Sequence, residues 1–259
     1  STLVRPIVLT AQVGFPCLLA MSLCLLACES IVMAEEPSKP EKSHKSARIG
    51  IGSLDSRYEL DFEDQFDKGL SEEIWSYRTD IRFSSHQKAE NVTVLKDELQ
   101  IALREEADVA KKTEFSGGGI VSNRLFDYGF FEARIRLPSA GGWHSAFWLM
   151  KKERSPDPNE VILEIDICEQ DSHNLNRYDV NWHLWKPESR LEHLHKALQV
   201  KLQPDRYYNW GAEVSRTHVK YFLDKKLMHT FKMSDEPHGQ WQIWLTCIAA
   251  ELGGSTGVD

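Results

Sequence analysis

The stretch Leu163 to Gln170 reads LEIDICEQ and brings three carboxylates together: Glu164, Asp166 and Glu169. Carboxylates this close repel when all are ionised, so at least one keeps its proton near neutral pH. A protonated carboxyl beside an ionised one is the equipment for glycosidic bond cleavage, one as acid and one as nucleophile.

The alternating β-branched residues make this segment a strand. Alternate side chains of a strand share a face, so Glu164 and Asp166 point together while Ile165 and Ile167 point the other way. Unbroken alternation would send Glu169 into the core, where an unpaired carboxylate costs several kcal/mol. One extra residue, a β-bulge, returns Glu169 to the acidic face. Glu164 and Glu169 then lie four strand positions apart, roughly 13 Å between Cα atoms. If each side chain leans inward by about 4 Å, about 5 Å is left between carboxyls, near the 5–5.5 Å of a retaining glycosidase. An acidic strand is also compatible with a solvated face or a calcium site, so its surroundings decide.

Those surroundings read as β structure. Period-two runs bounded by Gly, Pro, Asp and Ser occur at 58–62, 92–101, 129–137, 146–150, 162–168, 180–184, 207–213, 218–223 and 241–248. No amphipathic helix longer than about three turns stands out, and no internal repeat is visible. Many short strands in one domain predict an all-β fold, a two-sheet sandwich or a barrel.

Composition narrows the function further. The 259 residues carry a net charge of -8, which argues against nucleic acid as a partner. Eight Trp in an acidic chain supply flat apolar surfaces of the kind that sugar rings stack on. Residues 13–28 (VGFPCLLAMSLCLLAC) follow a basic residue and are nearly all apolar. Residues 1–34 are therefore expected to be an export signal cleaved after Ala34, with a lipobox-like Leu25-Leu26-Ala27-Cys28 or an uncleaved anchor as alternatives. A secreted, periplasmic or outer-membrane lipoprotein location follows, with no membrane span in the mature form. Residues 35–54 read as a polar linker and 55–259 as the domain. Cys168 and Cys247 are the cysteines of that domain, and spacing does not tell whether they pair.

The segment EIDICE resembles the catalytic signature of glycoside hydrolase family 16 in its β-bulged form. Four further stretches are similar to that family in collinear order: FEDQF with Trp75, AENVTV, residues 116–150 and residues 205–227, with Asp224 at a hairpin turn. The resemblance implies a concanavalin A-like β-jelly-roll of two antiparallel sheets with a substrate cleft on the concave one. It implies Glu164 as nucleophile, Glu169 as general acid/base and Asp166 as the residue that tunes and positions them. The reaction would be an endo-acting double displacement within a β-linked polysaccharide, with laminarin-like β-1,3-glucan as the leading substrate. Agarose, porphyran or carrageenan, a transglycosylase, and a non-catalytic carbohydrate-binding sandwich are the alternatives.

Around this core, Trp143 and Trp148 are expected to stack on sugar rings, Trp143 from a loop after Gly141-Gly142. His183 is expected to face the carboxylates. Trp185 is the indole that can share its face, because Trp182 and Trp185 have opposite parity. Arg134 is expected to reach sugar hydroxyls or acidic substituents. The His-rich residues 186–196 are expected to form a charged loop. No organic cofactor and no catalytic metal are implied. A structural calcium is compatible with the fold, although no loop shows dense calcium-ligand spacing. The protein is expected to be a monomer. Family members continue to a last strand, so a chain ending at Asp259 is expected to leave one sheet edge open.

Overall fold

The computed structural model describes residues 58, 60–137, 141–153, 157, 159–186, 189–204, 206–233 and 239–249, together with the backbone of 7–9. The strands run β1 (Ile7–Leu9), β2 (Phe62–Asp64), β3 (Trp75–Tyr77), β4 (Ile81–Arg82), β5 (Ser85–Gln87) and β6 (Val92–Val94). They continue as β7 (Leu99–Ile101), β8 (Arg104–Asp108), β9 (Thr113–Ser122), β10 (Gly129–Arg136), β11 (Trp143–Met150) and β12 (Ile162–Asp171). The last six are β13 (Arg177–Lys186), β14 (Ser189–Gln199), β15 (Tyr207–Val214), β16 (His218–Leu223), β17 (Lys226–Lys232) and β18 (Gln242–Ala249). A 3₁₀ turn at Ala89–Asn91 is the one helical element among the described residues.

Two sheets carry the architecture. One is ordered β17-β16-β15-β10-β1-β2, the other β14-β13-β12-β11-β18-β9-β5-β4, with β3 and β8 also paired to β9. Most pairings are antiparallel, and the result is the expected all-β jelly-roll sandwich. The cause is visible in β10 and β11, where every second residue is buried and the residues between are half exposed. Phe131, Ala133, Phe147 and Leu149 thus face the interior, where they meet Trp182, Trp210 and Tyr221. Inward side chains of both sheets fill one shared core.

Several expectations change at this level. The predicted strand over 92–101 is a hairpin, β6 and β7, whose turn places Lys96 and Asp97 at φ 53° and 59°. Of the His-rich residues 186–196 expected as a loop, Lys186 ends β13 and 189–196 lie in β14, a strand at the end of the ten-stranded sheet. The glycine run Gly117–Gly119, absent from the expected strands, lies inside β9. A side chain at Gly117 would put its Cβ 2.4 Å from the Cys247 carbonyl oxygen, so glycine is required for β9 to pass that close. Within the segment expected to be a leader, Ile7–Leu9 pairs in parallel with Phe131–Ala133 on one side and Phe62–Asp64 on the other. The rest of that segment, the 35–54 linker and residues 250–259 lie outside the described residues. Cys168 and Cys247 are both buried and both free.

Candidate active site

The strand that carries the three carboxylates is β12, near the middle of the ten-stranded sheet between β11 and β13. Its ladder contains the bulge the sequence requires. Phe147 pairs with Cys168 and Trp148 with Asp166, leaving Ile167 without a partner on β11. On the other side Glu164 faces His183, Asp166 faces Asn181 and Glu169 faces Asp179. The two glutamates therefore span the four positions between His183 and Asp179, roughly 13 Å along the strand. Cys168 packs inward and Glu169 returns to the face of Glu164 and Asp166.

Two hydrogen bonds from the core hold this region in place. Trp241 Nε1 donates to the carbonyl oxygen of Leu163 at 3.1 Å, and Tyr221 Oη donates to that of Asn181 at 2.7 Å. Tyr221 belongs to the opposite sheet, so β13 is tied across the sandwich.

Asp166 is almost fully buried between the two glutamates. Burial first, then the charges of Glu169 and Glu164, push its carboxyl well above the usual aspartate range, against an opposing hydrogen bond from Asn181. His183 Nε2 lies 3.2 Å from Asp166 Oδ2. Burial, reinforced by the neighbouring His193, lowers the His183 imidazole to about 4. Both shifts favour the uncharged forms, which weakens the ion-pair character of this contact.

The glutamates are held differently. Glu164 Oε2 accepts from Trp185 Nε1 at 2.7 Å. The indole of Trp185 stacks on His183 at 5.4 Å between ring centroids, and His183 stacks on His193 at 4.3 Å. Glu169 Oε2 accepts from the Asn181 amide, and Oε1 lies 3.2 Å from His144 Nε2. His144 Nδ1 in turn contacts Asp171 Oδ1 at 2.8 Å. Burial would lower the His144 imidazole, but the hydrogen bonds it donates to Asp171 and Glu169 overcome this and push it up to about 9.

Beyond the acids, the same face carries Trp148 stacked on Trp244 at 4.6 Å and 22°. The Arg78 guanidinium, paired with Asp80 at 2.9 Å, stands 5.8 Å from the Trp148 ring.

The structure thus assembles Glu164, Asp166, Glu169, Trp148, His183 and Trp185 on one face. Two expected residues lie elsewhere. Trp143 is 2% exposed and packs in the core, because it starts β11 at the parity of Phe147 and Leu149. Arg134 lies on β10 of the six-stranded sheet, on its outward-facing parity, with its guanidinium 4.1 Å from the Tyr207 ring. His144, Asp171, Asn181, His193 and Trp244 join the site without having been singled out. Each lies an even number of residues from a recognised member of its own strand, or directly opposite one across the ladder.

Glu164, Asp166 and His183 offer ligand atoms within 4.8 Å of one another and could hold a cation. The upward shift of the Asp166 carboxyl and the engagement of Glu164 by Trp185 favour reading them as an acid cluster instead.

A β-sandwich with clustered carboxylates and aromatic rings on one open sheet face has the features of a carbohydrate-cleaving protein. The sequence profile of glycosyl hydrolases family 16 matches residues 79–250, two thirds of the chain, and the chain belongs to that family. A beta-glucanase of Rhodothermus marinus is 24% identical over 253 residues, covering 83% of this chain and 86% of its own. The family 16 protein of the Bacteroides ovatus mixed-linkage glucan locus, solved with a G4G4G3G product, shows a TM-score of 0.62 at 24% identity. That match covers 75% of this chain and 88% of the other. LamA of Zobellia galactanivorans, solved with laminaritriose and laminaritetraose, has a TM-score of 0.63 at 19% identity over 76% and 91% of the two chains. The chain is therefore a glycoside hydrolase with a polysaccharide substrate. Among the described residues no helix is long and apolar enough to cross a membrane.

Proposed function

We propose that this protein is a retaining endo-glycosidase that cuts internal β-1,3-glucan linkages by double displacement. Glu164 is the nucleophile and Glu169 the general acid/base. Asp166 is the protonated spacer that lets the two glutamates share one strand face. The bulge at Ile167 carries this reading, because it places two glutamates four strand positions apart with a neutral acid between them. Glu164, oriented by Trp185, attacks the anomeric carbon while Glu169 protonates the departing oxygen. A covalent glycosyl-enzyme results, and Glu169 then takes a proton from the water that opens it. Trp148 and Trp244 are the stacking surface for the glucan.

The substrate assignment rests on the relatives, one called a beta-glucanase and one solved with laminari-oligosaccharides. The product in the Bacteroides ovatus structure makes mixed-linkage glucan the next candidate. Export from the cell is proposed on the apolar N-terminal run, and the reaction as written requires no metal.

The test is a reducing-end assay on laminarin, lichenan, xyloglucan, agarose, porphyran and κ-carrageenan, with Glu164→Gln alongside. Release from laminarin that the variant abolishes, with the β anomer as first product, supports the proposal. Release from another member reassigns the substrate, and α-anomeric product overturns retention. Binding without release by the folded protein would favour a non-catalytic sandwich.

A further inference from the structure

Asp171, His144 and Glu169 form an unbroken string across β11 and β12: carboxylate to imidazole at 2.8 Å, imidazole to carboxylate at 3.2 Å. The string uses both ring nitrogens, so the imidazole can neither rotate nor flip without losing a partner. Its side chains are 30%, 17% and 28% exposed, so the string is screened from bulk water yet reaches the open face. Building on the assignment of Glu169 above, we propose that His144, anchored by Asp171, is a positioning residue that stores the proton Glu169 delivers.

In the resting site the proton lies on His144 Nε2, facing an ionised Glu169. As the glycosidic bond breaks, that proton moves to Glu169 Oε1, and the glutamate protonates the leaving oxygen. The bonding pair of the C–O bond stays with that oxygen. His144 is left neutral, Glu169 ionised and the sugar bonded to Glu164. In the second step water adds to the anomeric carbon, the bond to Glu164 breaks, and the proton lost by water returns through Glu169 to His144. No proton is gained or lost over the cycle.

The benefit is a wider working range. Carboxyl side chains ordinarily release their proton near pH 4, whereas an imidazolium between two carboxylates keeps its own far longer. His144 holds its proton to about pH 9, and at pH 8 the site still has one to give. The groups facing it are Glu169 and Asp171 on β12, with Asp179 and Arg177 paired beyond them on β13 and His173 beside Asp171. On β18 its partner across the ladder is Ile248.

The experiment compares wild type with His144→Gln and Asp171→Asn on laminarin from pH 4 to 10, and follows the His144 ring by NMR. Glutamine can donate to Glu169 but cannot store a proton. Its alkaline limb is expected to move down by at least about 2 pH units, with kcat at pH 8 falling about a hundredfold and kcat at pH 5 within about threefold. Asp171→Asn is expected to move the limb and the His144 NMR midpoint down together. A uniform loss at every pH, or a limb that stays in place in both variants, overturns the proposal. Should His144→Gln fail to fold, Asp171→Asn alone decides by the same criterion. Full activity of Glu169→Ala would overturn the assignment of Glu169. Failure of the storage role alone would instead leave Glu169→Ala inactive while the alkaline limb stays in place in His144→Gln and Asp171→Asn.

Discussion

The indole N–H of Trp185 donates to Oε2 of Glu164 at 2.7 Å, from the neighbouring strand and on the same face. The bond fixes Oε2 of Glu164, the residue proposed as nucleophile, in one orientation. Replacing Trp185 with Phe keeps a ring against His183 and removes the donor. A hydrogen bond to a charged group contributes about 1.5–3 kcal/mol, so kcat/KM is expected to fall about tenfold to a hundredfold. Circular dichroism should remain that of the native protein, and an unchanged rate would show that Glu164 is oriented by other means.

Ile167 is the residue without a partner on β11, and its presence sets the face of Glu169. Deleting it leaves the run Glu-Ile-Asp-Cys-Glu, in which plain alternation keeps all three acids on one face. Measurable glucan cleavage is therefore expected from the deletion variant, at reduced stability because a buried isoleucine is lost. Inserting one alanine after Ile167 keeps Glu169 on that face under plain alternation but six strand positions from Glu164, roughly 20 Å between Cα atoms. That is too far for a retaining pair and should abolish activity. Rates and melting temperatures of the two variants give the check.

The two tryptophans of β11 should separate cleanly. Trp143→Ala removes a core ring and is expected to cost about 3–5 kcal/mol of stability. Trp148→Ala opens the stacking face and should raise KM for laminarin with a much smaller loss of stability. Arg134→Ala should change neither KM nor kcat, since the residue lies on the other sheet. Denaturant melts and initial rates would distinguish the three.

Two histidines shift in opposite directions and predict a stability maximum. His183 is lowered from 6.5 to about 4, so the unfolded chain binds more protons in that window. Its contribution is complete above pH 6.5 and is lost as pH falls toward 4. His144 is raised from 6.5 to about 9, so its contribution is complete below pH 6.5 and is lost as pH rises through 9. Each is worth on the order of 3 kcal/mol at the limit. Urea melts across pH 4–10 should peak near pH 6.5, and Asp171→Asn should flatten the alkaline side.

Much of this was legible from two rules, alternation and the cost of burying charge. Together they yield the acidic face, the need for a bulge and the side of Trp185. The parity that separates Trp182 from Trp185 would also have placed Trp143 in the core, since Trp143 and Trp148 differ by an odd number. The glycines before Trp143 suggested a loop and obscured it. Gly117–Gly119 and the polar run of β14 hid strands for a different reason. One is shaped by close approach of a neighbouring backbone, the other is an exposed sheet edge, and neither leaves a hydrophobic pattern. Arg134 could be assigned only once its sheet was known, because alternation orders residues within a strand and does not say which sheet receives it.

Trp241 and Tyr221 reach from the core to the backbone beside the acids, and that attachment is expected to govern how the protein ages under heat. The carboxylates lie on a strand flanked on both sides and tied to the core, so their geometry is expected to persist as long as the sandwich does. Catalysis and fold should then fail as one event. A curve of residual sugar release after heating would be a thermometer for the whole domain, and a half-inactive sample would be a mixture of intact and collapsed molecules.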